Sequence, residues 1–381
     1  MQLMSRRSRP LGSRCVAHVG RAAESLEQRF AEPVSRAASR DKPSNDTCGR
    51  AQRRVSDDRG STASYSPSWS DLADPRWHVD RIANRVTTNS YKAGALAARL
   101  LPRAVAAGLA TPAGWGATIS SPERRAMIER HLQRVDPTLR GLRLRRAVQE
   151  SFDSYARYWI ESFRLPAMSK RAVARSFRED GYQHLLTALD AGKGAIIALP
   201  HLGGWEWAGR WIADQGHPIT VVVERLDPPE LFDWFVELRS KLGMTVVPVG
   251  PDAGKAVIRA LNNNHVVCLL SDRDIQGGGP EVEFFGERTT LPGGAATVAL
   301  RTGAPILPTG IYFTDRFDGH LGYVRPPIPV ERQAKRLRDD VQRITQLIAQ
   351  ELEVLIRRAP SQWHLFQPNW PSDPGYGQDS R

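Results

Sequence analysis

From Gly192 onward the chain alternates short, wholly apolar runs with longer amphipathic stretches. The run Gly194-Ala195-Ile196-Ile197-Ala198-Leu199 has no polar face, as expected of a strand buried on both sides of a parallel sheet. Ile219–Val223, Met244–Val249 and Val266–Leu270 repeat the signature, and a fifth strand is predicted within residues 304–313. Helices are predicted between these runs, at about 205–215, 228–242, 253–263 and 292–302, and a long final helix from about Arg332 to Arg358. Upstream the pattern is helical. A mostly apolar helix is predicted over 91–110, kinked at Pro102, with others over 121–134 and 143–164. In the last of these Phe152, Tyr155, Tyr158, Trp159 and Phe163 recur at helical spacing. The alternation predicts an α/β fold with a mainly parallel central sheet flanked by helices, preceded by a helical N-terminal part. Ligands of such sheets gather beyond the carboxyl ends of the strands.

The pattern divides the chain in two. Residues 1–70 are low-complexity Arg/Ser/Ala without a periodic apolar face, and read as a basic, disordered extension. Residues 71–381 read as a single domain. Of the net charge of +12, half belongs to residues 1–60, which hold 13 basic and 7 acidic residues. Phe30 is the only aromatic residue there, so no stacking platform accompanies the charge and nucleic acid is not an expected partner. No run approaches the length of a spanning helix, and the Arg-rich start lacks the apolar stretch of a secretory signal. Cys15, Cys48 and Cys268 fit neither a disulfide framework nor a thiolate metal site, which points to a reducing compartment.

The candidate chemistry sits at the strand ends. Pro200 stops the first strand and places His201 at its carboxyl end, before the flexible pair Gly203-Gly204 and a helix starting near Trp205. Glu206 falls in that helix's first turn. His201 and Glu206 read either as a general base with its orienting acid or as a turn cap and a helix cap. Ser271-Asp272-Arg273-Asp274 ends the 266–270 strand on the same edge, as part of the site or as a salt-bridged turn. Glu224-Arg225 adds a charged pair at the end of the 219–223 strand. Arg239 falls on the apolar stripe Leu231, Phe232, Phe235, Leu238, Leu242, so it requires a carboxylate or phosphate partner. Phe284-Phe285 reads equally as a cavity wall or plain core. Neither a His-Glu-x-x-His zinc pattern nor a Gly-x-Ser-x-Gly elbow occurs. Gly250-Pro-Asp-Ala-Gly254-Lys255 is one residue short of a phosphate loop, and Gly277-Gly278-Gly279 does not lead into a helix.

Four segments carry a resemblance: Pro200-His201-x4-Glu206, Asp272-Arg273-Asp274, Phe284-Phe285-Gly286, and Leu291-Pro292-Gly293 through Thr302-Gly303-Ala304-Pro305. Over roughly 75–372 the chain resembles the bacterial lipid A lauroyl-type acyltransferases, whose fold is glycerolipid acyltransferase-like. Ser154-Tyr155-Ala156-Arg157-Tyr158-Trp159, Glu224-Arg225-Leu226 and Trp363-His364-x2-Gln367-Pro368-x-Trp370 are similar to the actinobacterial phosphatidylinositol mannoside acyltransferase branch. The resemblance implies transfer of a fatty acyl chain from acyl-coenzyme A to a mannose hydroxyl of a phosphoinositol glycolipid, with no metal and no other cofactor. His201 would be the general base and Glu206 its orienting acid, with the oxyanion facing backbone amides around Gly203–Trp205. Arg239 matches a position near the acceptor's phosphate, and Asp272, Arg273, Glu224 and Arg225 would line the substrate site. At Asp272 the family frequently has Glu.

The implied location is peripheral, on the cytoplasmic face of the plasma membrane. An apolar helix carrying Lys92, Arg99 and Arg103 suits an anionic bilayer surface, although an ordinary core helix has the same pattern. A hydrolase of a phosphorylated or thioester substrate and a non-catalytic membrane-surface module are the alternatives. Deleting residues 1–70 is expected to leave melting temperature and turnover largely unchanged. A large loss of either in the truncated protein would contradict the reading of that segment as an extension.

Overall fold

In a computed structural model of the chain, the structure describes residues 75–377, so the 1–70 extension, Cys15 and Cys48 lie outside the described residues. The N-terminal part is helical: α1 (Pro75–Leu100), α2 (Arg103–Gly108), α3 (Ala110–Ser120), α4 (Pro122–Val135), α5 (Gly141–Arg164) and α6 (Lys170–Ser176). Pro102 breaks the predicted 91–110 helix outright: α1 ends two residues before it and α2 restarts after it. The residue preceding a proline is pushed out of the helical region, which makes a stop easier than a kink.

The α/β part follows as β1 (Phe177–Asp180), α7 (Tyr182–Asp190), β2 (Ala195–Leu199), α8 (Trp205–Asp214), β3 (Ile219–Val223), α9 (Pro229–Lys241), β4 (Met244–Pro248), α10 (Ala253–Asn262) and β5 (Val266–Leu270). The hairpin β6 (Glu281–Phe284) and β7 (Glu287–Thr290) leads to α11 (Gly294–Thr302), β8 (Ile306–Phe313), β9 (His320–Val324) and α12 (Leu337–Arg358). The central sheet has seven strands in the order β1-β9-β8-β2-β5-β3-β4. All its pairings are parallel except β8 with β9. This is the expected mainly parallel α/β architecture. β1 and β9, with α6 and α7, were not legible in the sequence. β1 buries only Phe177 of its four residues, and such a short polar segment carries no apolar signature.

Every residue of β2 is buried, and alternate side chains feed two separate cores. Ile196 and Ala198 join the core built with α10, α11 and α12. Ala195, Ile197 and Leu199 join the one built with α8, α9, α7 and the ends of α1 and α5. Burying such strands on both faces, at roughly 1.5–3 kcal/mol per large aliphatic side chain, fixes them in the middle of three layers. Phe284 and Phe285 also belong to the first core, which decides between the two readings of that pair.

The registers bring the strand ends into line. Leu199 pairs with Leu270 in β2 and β5, and Val223 pairs with Pro248 in β3 and β4. The turns after β2, β3, β4 and β5 therefore open onto one edge of the sheet. They border a cleft of about 1340 Å³ lined by His201, Glu224, Arg225, Gly250 and Arg273 among others.

Candidate active site

Two residues beyond the paired Leu199 and Leu270 stand His201 and Asp272. Ser271 N–H donates to Leu199 O at 2.9 Å and extends the ladder to this point. His201 Nδ1 and Asp272 Oδ1 then lie 2.8 Å apart, while His201 N–H donates to Asp272 Oδ2 at 2.9 Å. Trp363 Nε1–H donates to the same Oδ2 at 2.8 Å. Asp272 is fully buried, whereas the His201 side chain keeps 23% of its surface exposed and lines the cleft. Burial alone would raise the Asp272 carboxyl. The His201 ring beside it, with the hydrogen bonds from His201 and Trp363, outweighs burial and holds it below the usual carboxylate range. A carboxylate on Nδ1 selects the tautomer in which that nitrogen carries the proton. Nε2 is left as the ring's basic nitrogen, with no protein partner among the described residues.

This corrects the expectation that Glu206 orients His201. Gly203, at φ +58°, turns the chain sharply, and a side chain there would meet Ile311 O at 2.3 Å. The turn carries Glu206 into the first turn of α8, where its carboxylate faces α9 instead. Glu206 Oε1 accepts from Arg239 Nη2 at 2.6 Å and Nε at 3.0 Å, and Tyr158 O–H lies 3.4 Å from the same oxygen. Of the two partners that the stripe position of Arg239 allows, the structure supplies the carboxylate, Glu206, while Arg239 also lines the cleft. Burial and then the Glu206 charge push the Tyr158 phenol well above its usual value, so it remains neutral.

Asp272, expected to touch substrate, is instead shielded beneath His201. Glu224, Arg225 and Arg273 do line the cleft, Arg225 with its guanidinium 5.9 Å from the Phe232 ring. The structure adds residues that were given no role in the sequence. His364 lines the cleft, with its Nε2 2.8 Å from Ser154 Oγ. Burial and the neighbouring His201 push its imidazole down to about 3, against a smaller opposing pull from Asp272. It is therefore neutral at any working pH. Tyr158 and Trp205 stack at 4.1 Å and, with Tyr155 and Trp159, form an aromatic wall. Val222, Leu226, Val257, Leu269 and Val298 give the cleft an aliphatic lining. Trp363 and His364 carry part of the resemblance, but no local signal gives their roles, because their partners lie 91 and 210 residues away.

Comparison with known proteins places the sequence among acyltransferases. The family model for bacterial lipid A biosynthesis acyltransferases matches residues 78–372. A phosphatidylinositol mannoside acyltransferase of Mycobacterium tuberculosis is 38% identical over 315 residues, covering 79% of this chain and 92% of the relative. One of Mycolicibacterium smegmatis is 36% identical over 296 residues, covering 77% and 94%.

The Glu206–Arg239 pair makes a direct prediction. Arg239→Ala leaves a carboxylate that is only 6% exposed without its counter-ion. A loss of about 3 kcal/mol is expected, the lower end for a broken buried pair because the guanidinium keeps some contact with water. Adding Glu206→Gln should recover part of it, since the double variant no longer buries an unpaired charge. Thermal unfolding of the two variants checks this, and an Arg239→Ala protein as stable as wild type would contradict the pairing.

Proposed function

The chain belongs to the bacterial lipid A biosynthesis acyltransferase family, and from that premise we propose that it moves a fatty acyl chain from acyl-coenzyme A to a mannose hydroxyl of a phosphatidylinositol mannoside. The observation that carries this reading is the His201–Asp272 pair on a large cleft with aliphatic, aromatic and charged walls. His201 Nε2 takes the proton of the acceptor hydroxyl as that oxygen attacks the thioester carbonyl. Asp272 holds the imidazolium that forms. The tetrahedral intermediate collapses with cleavage of the carbon–sulfur bond, and the departing thiolate recovers the proton from His201. The Trp205 and Glu206 amides precede the first bond of α8, from Trp207 N–H to Gly204 O, and are suited to the developing oxyanion.

The two substrates differ in chemistry, and so do the walls of the cleft. The aromatic rings of α5 and α8, with His364 and Glu224, suit a sugar that has apolar faces and polar edges. The aliphatic part of the lining, Val222, Leu226, Val257, Leu269 and Val298, suits an acyl chain. The relatives' names support the acceptor assignment.

The proposal includes work at an anionic membrane surface from the cytoplasmic side. No helix among the described residues is long and apolar enough to cross a membrane. Leu96 and Leu100 of α1, Trp115 and Ile119 of α3 and Leu142 of α5 are each more than half exposed. Large apolar side chains in such number on neighbouring helices suit insertion into a bilayer interface.

His201→Ala and Asp272→Asn test the reaction, with palmitoyl-coenzyme A and a panel of glycolipid acceptors and mass spectrometry of the products. His201→Ala is expected to lose on the order of 10²–10⁴ in rate with melting temperature nearly unchanged. Near-normal turnover in that variant would refute the assigned base.

A further inference from the structure

After α12 and a 3-10 turn over Pro360–Gln362, the chain runs back across the ends of β2 and β5 as a strap. Gly203 N–H donates to Gln362 O at 3.0 Å, and His364 N–H donates to His201 O at 2.7 Å. The strap supplies Trp363 Nε1–H to Asp272 Oδ2 and also Asn369 Nδ2–H to Asp272 O, at 3.1 Å. Asp272 is thus gripped from His201 on one side and from the strap on the other.

The strap needs an anchor of its own, and Asp373 provides it. Its side chain is fully buried. Oδ2 accepts from Asn369 N–H at 2.9 Å and Trp370 N–H at 3.1 Å, and His131 Nε2 lies 3.3 Å away. Oδ1 accepts from Arg134 Nη1 at 3.3 Å and Arg130 Nε at 3.4 Å. Burial opposes the charge, but the His131 hydrogen bond, the Asn369 amide and the nearby cations hold this carboxyl well below its ordinary range. One side chain therefore ties α4 to the segment that carries Trp363 and Asn369. Nothing in the reaction itself requires a carboxylate there.

We propose that Asp373 is a positioning residue for acyl transfer, pinning the C-terminal strap so that Trp363 and Asn369 hold Asp272 in the orientation that serves His201. This rests on the His201–Asp272 reading above. With the strap in place, Oδ2 is occupied by Trp363 Nε1–H and His201 N–H, and only Oδ1 is offered to Nδ1. With the strap loose, the carboxylate rotates and loses a donor that draws off part of its charge. A more basic carboxylate stabilises the protonated imidazole, so the general base becomes available only at higher pH. His364, which also faces His201, moves with the strap but is uncharged and adds nothing to that shift.

Asp373→Asn and Asn369→Ala, each in the full chain, test the role by kcat, donor KM, the pH–rate profile and melting temperature. Asn369→Ala removes the bond to Asp272 O while keeping the Asn369 amide on Asp373. Both variants are expected to lose about tenfold or more in kcat with donor KM within about twofold. In both, the acid limb of the profile should move to higher pH. A structural role alone lowers the melting temperature and leaves the acid limb where it was, and that result overturns the proposal. If Asp373→Asn does not fold, Asn369→Ala decides by the same criteria. Asp272→Asn serves as the control. If it retains wild-type kcat, the dyad and the strap role fall together; if it is inactive while both strap variants behave as wild type, the strap role alone is wrong.

Discussion

The pairing of Leu199 with Leu270 sets the position of everything else in the site. β2 and β5 are parallel neighbours, so residues equally far beyond that pair leave the sheet side by side. That brings His201 and Asp272 together. A slip of one residue would turn the Asp272 side chain to the opposite face of the sheet. The register is held because alternate β2 side chains belong to different cores, each closed by its own helices. The strap adds a second constraint, since it contacts both strand ends at once.

Two buried carboxylates belong to the turns at the ends of β2 and β5, and their different neighbours separate their roles. Asp272 is satisfied by the imidazole and an indole N–H, donors that can orient a base. Glu206 is satisfied by a guanidinium and a phenol, which tie α8 to α9 and α5. Buried ion pairs add little net stability on average, because desolvation offsets most of the Coulombic gain. The Glu206–Arg239 pair is better understood as fixing the relative placement of three helices along the aromatic wall than as a source of stability. It also explains an arginine on an apolar stripe without any ligand.

Under the proposed function, each layer answers one demand of the reaction. The sheet edge supplies the base, and α5, α8 and the strap supply the aromatic, sugar-facing wall. The aliphatic lining accepts the chain, and the exposed apolar residues of α1, α3 and α5 meet the membrane.

Continuous apolar runs identified the central strands, and Pro200 placed His201 at a strand's carboxyl end. The stripe position of Arg239 required a buried partner. These readings succeed because periodicity and proline chemistry are local: they depend on residues a few positions apart. The identity of each partner was not local. His201 and Asp272 are 71 residues apart, Glu206 and Arg239 33, and Trp363 and Asp272 91. Sequence proximity favoured Glu206 for His201, and the structure pairs Glu206 with Arg239 instead. Which carboxylate reaches which cation is decided by strand register, by the turn at Gly203 and by the return of the C-terminal strap, and these exist only once the layers have packed.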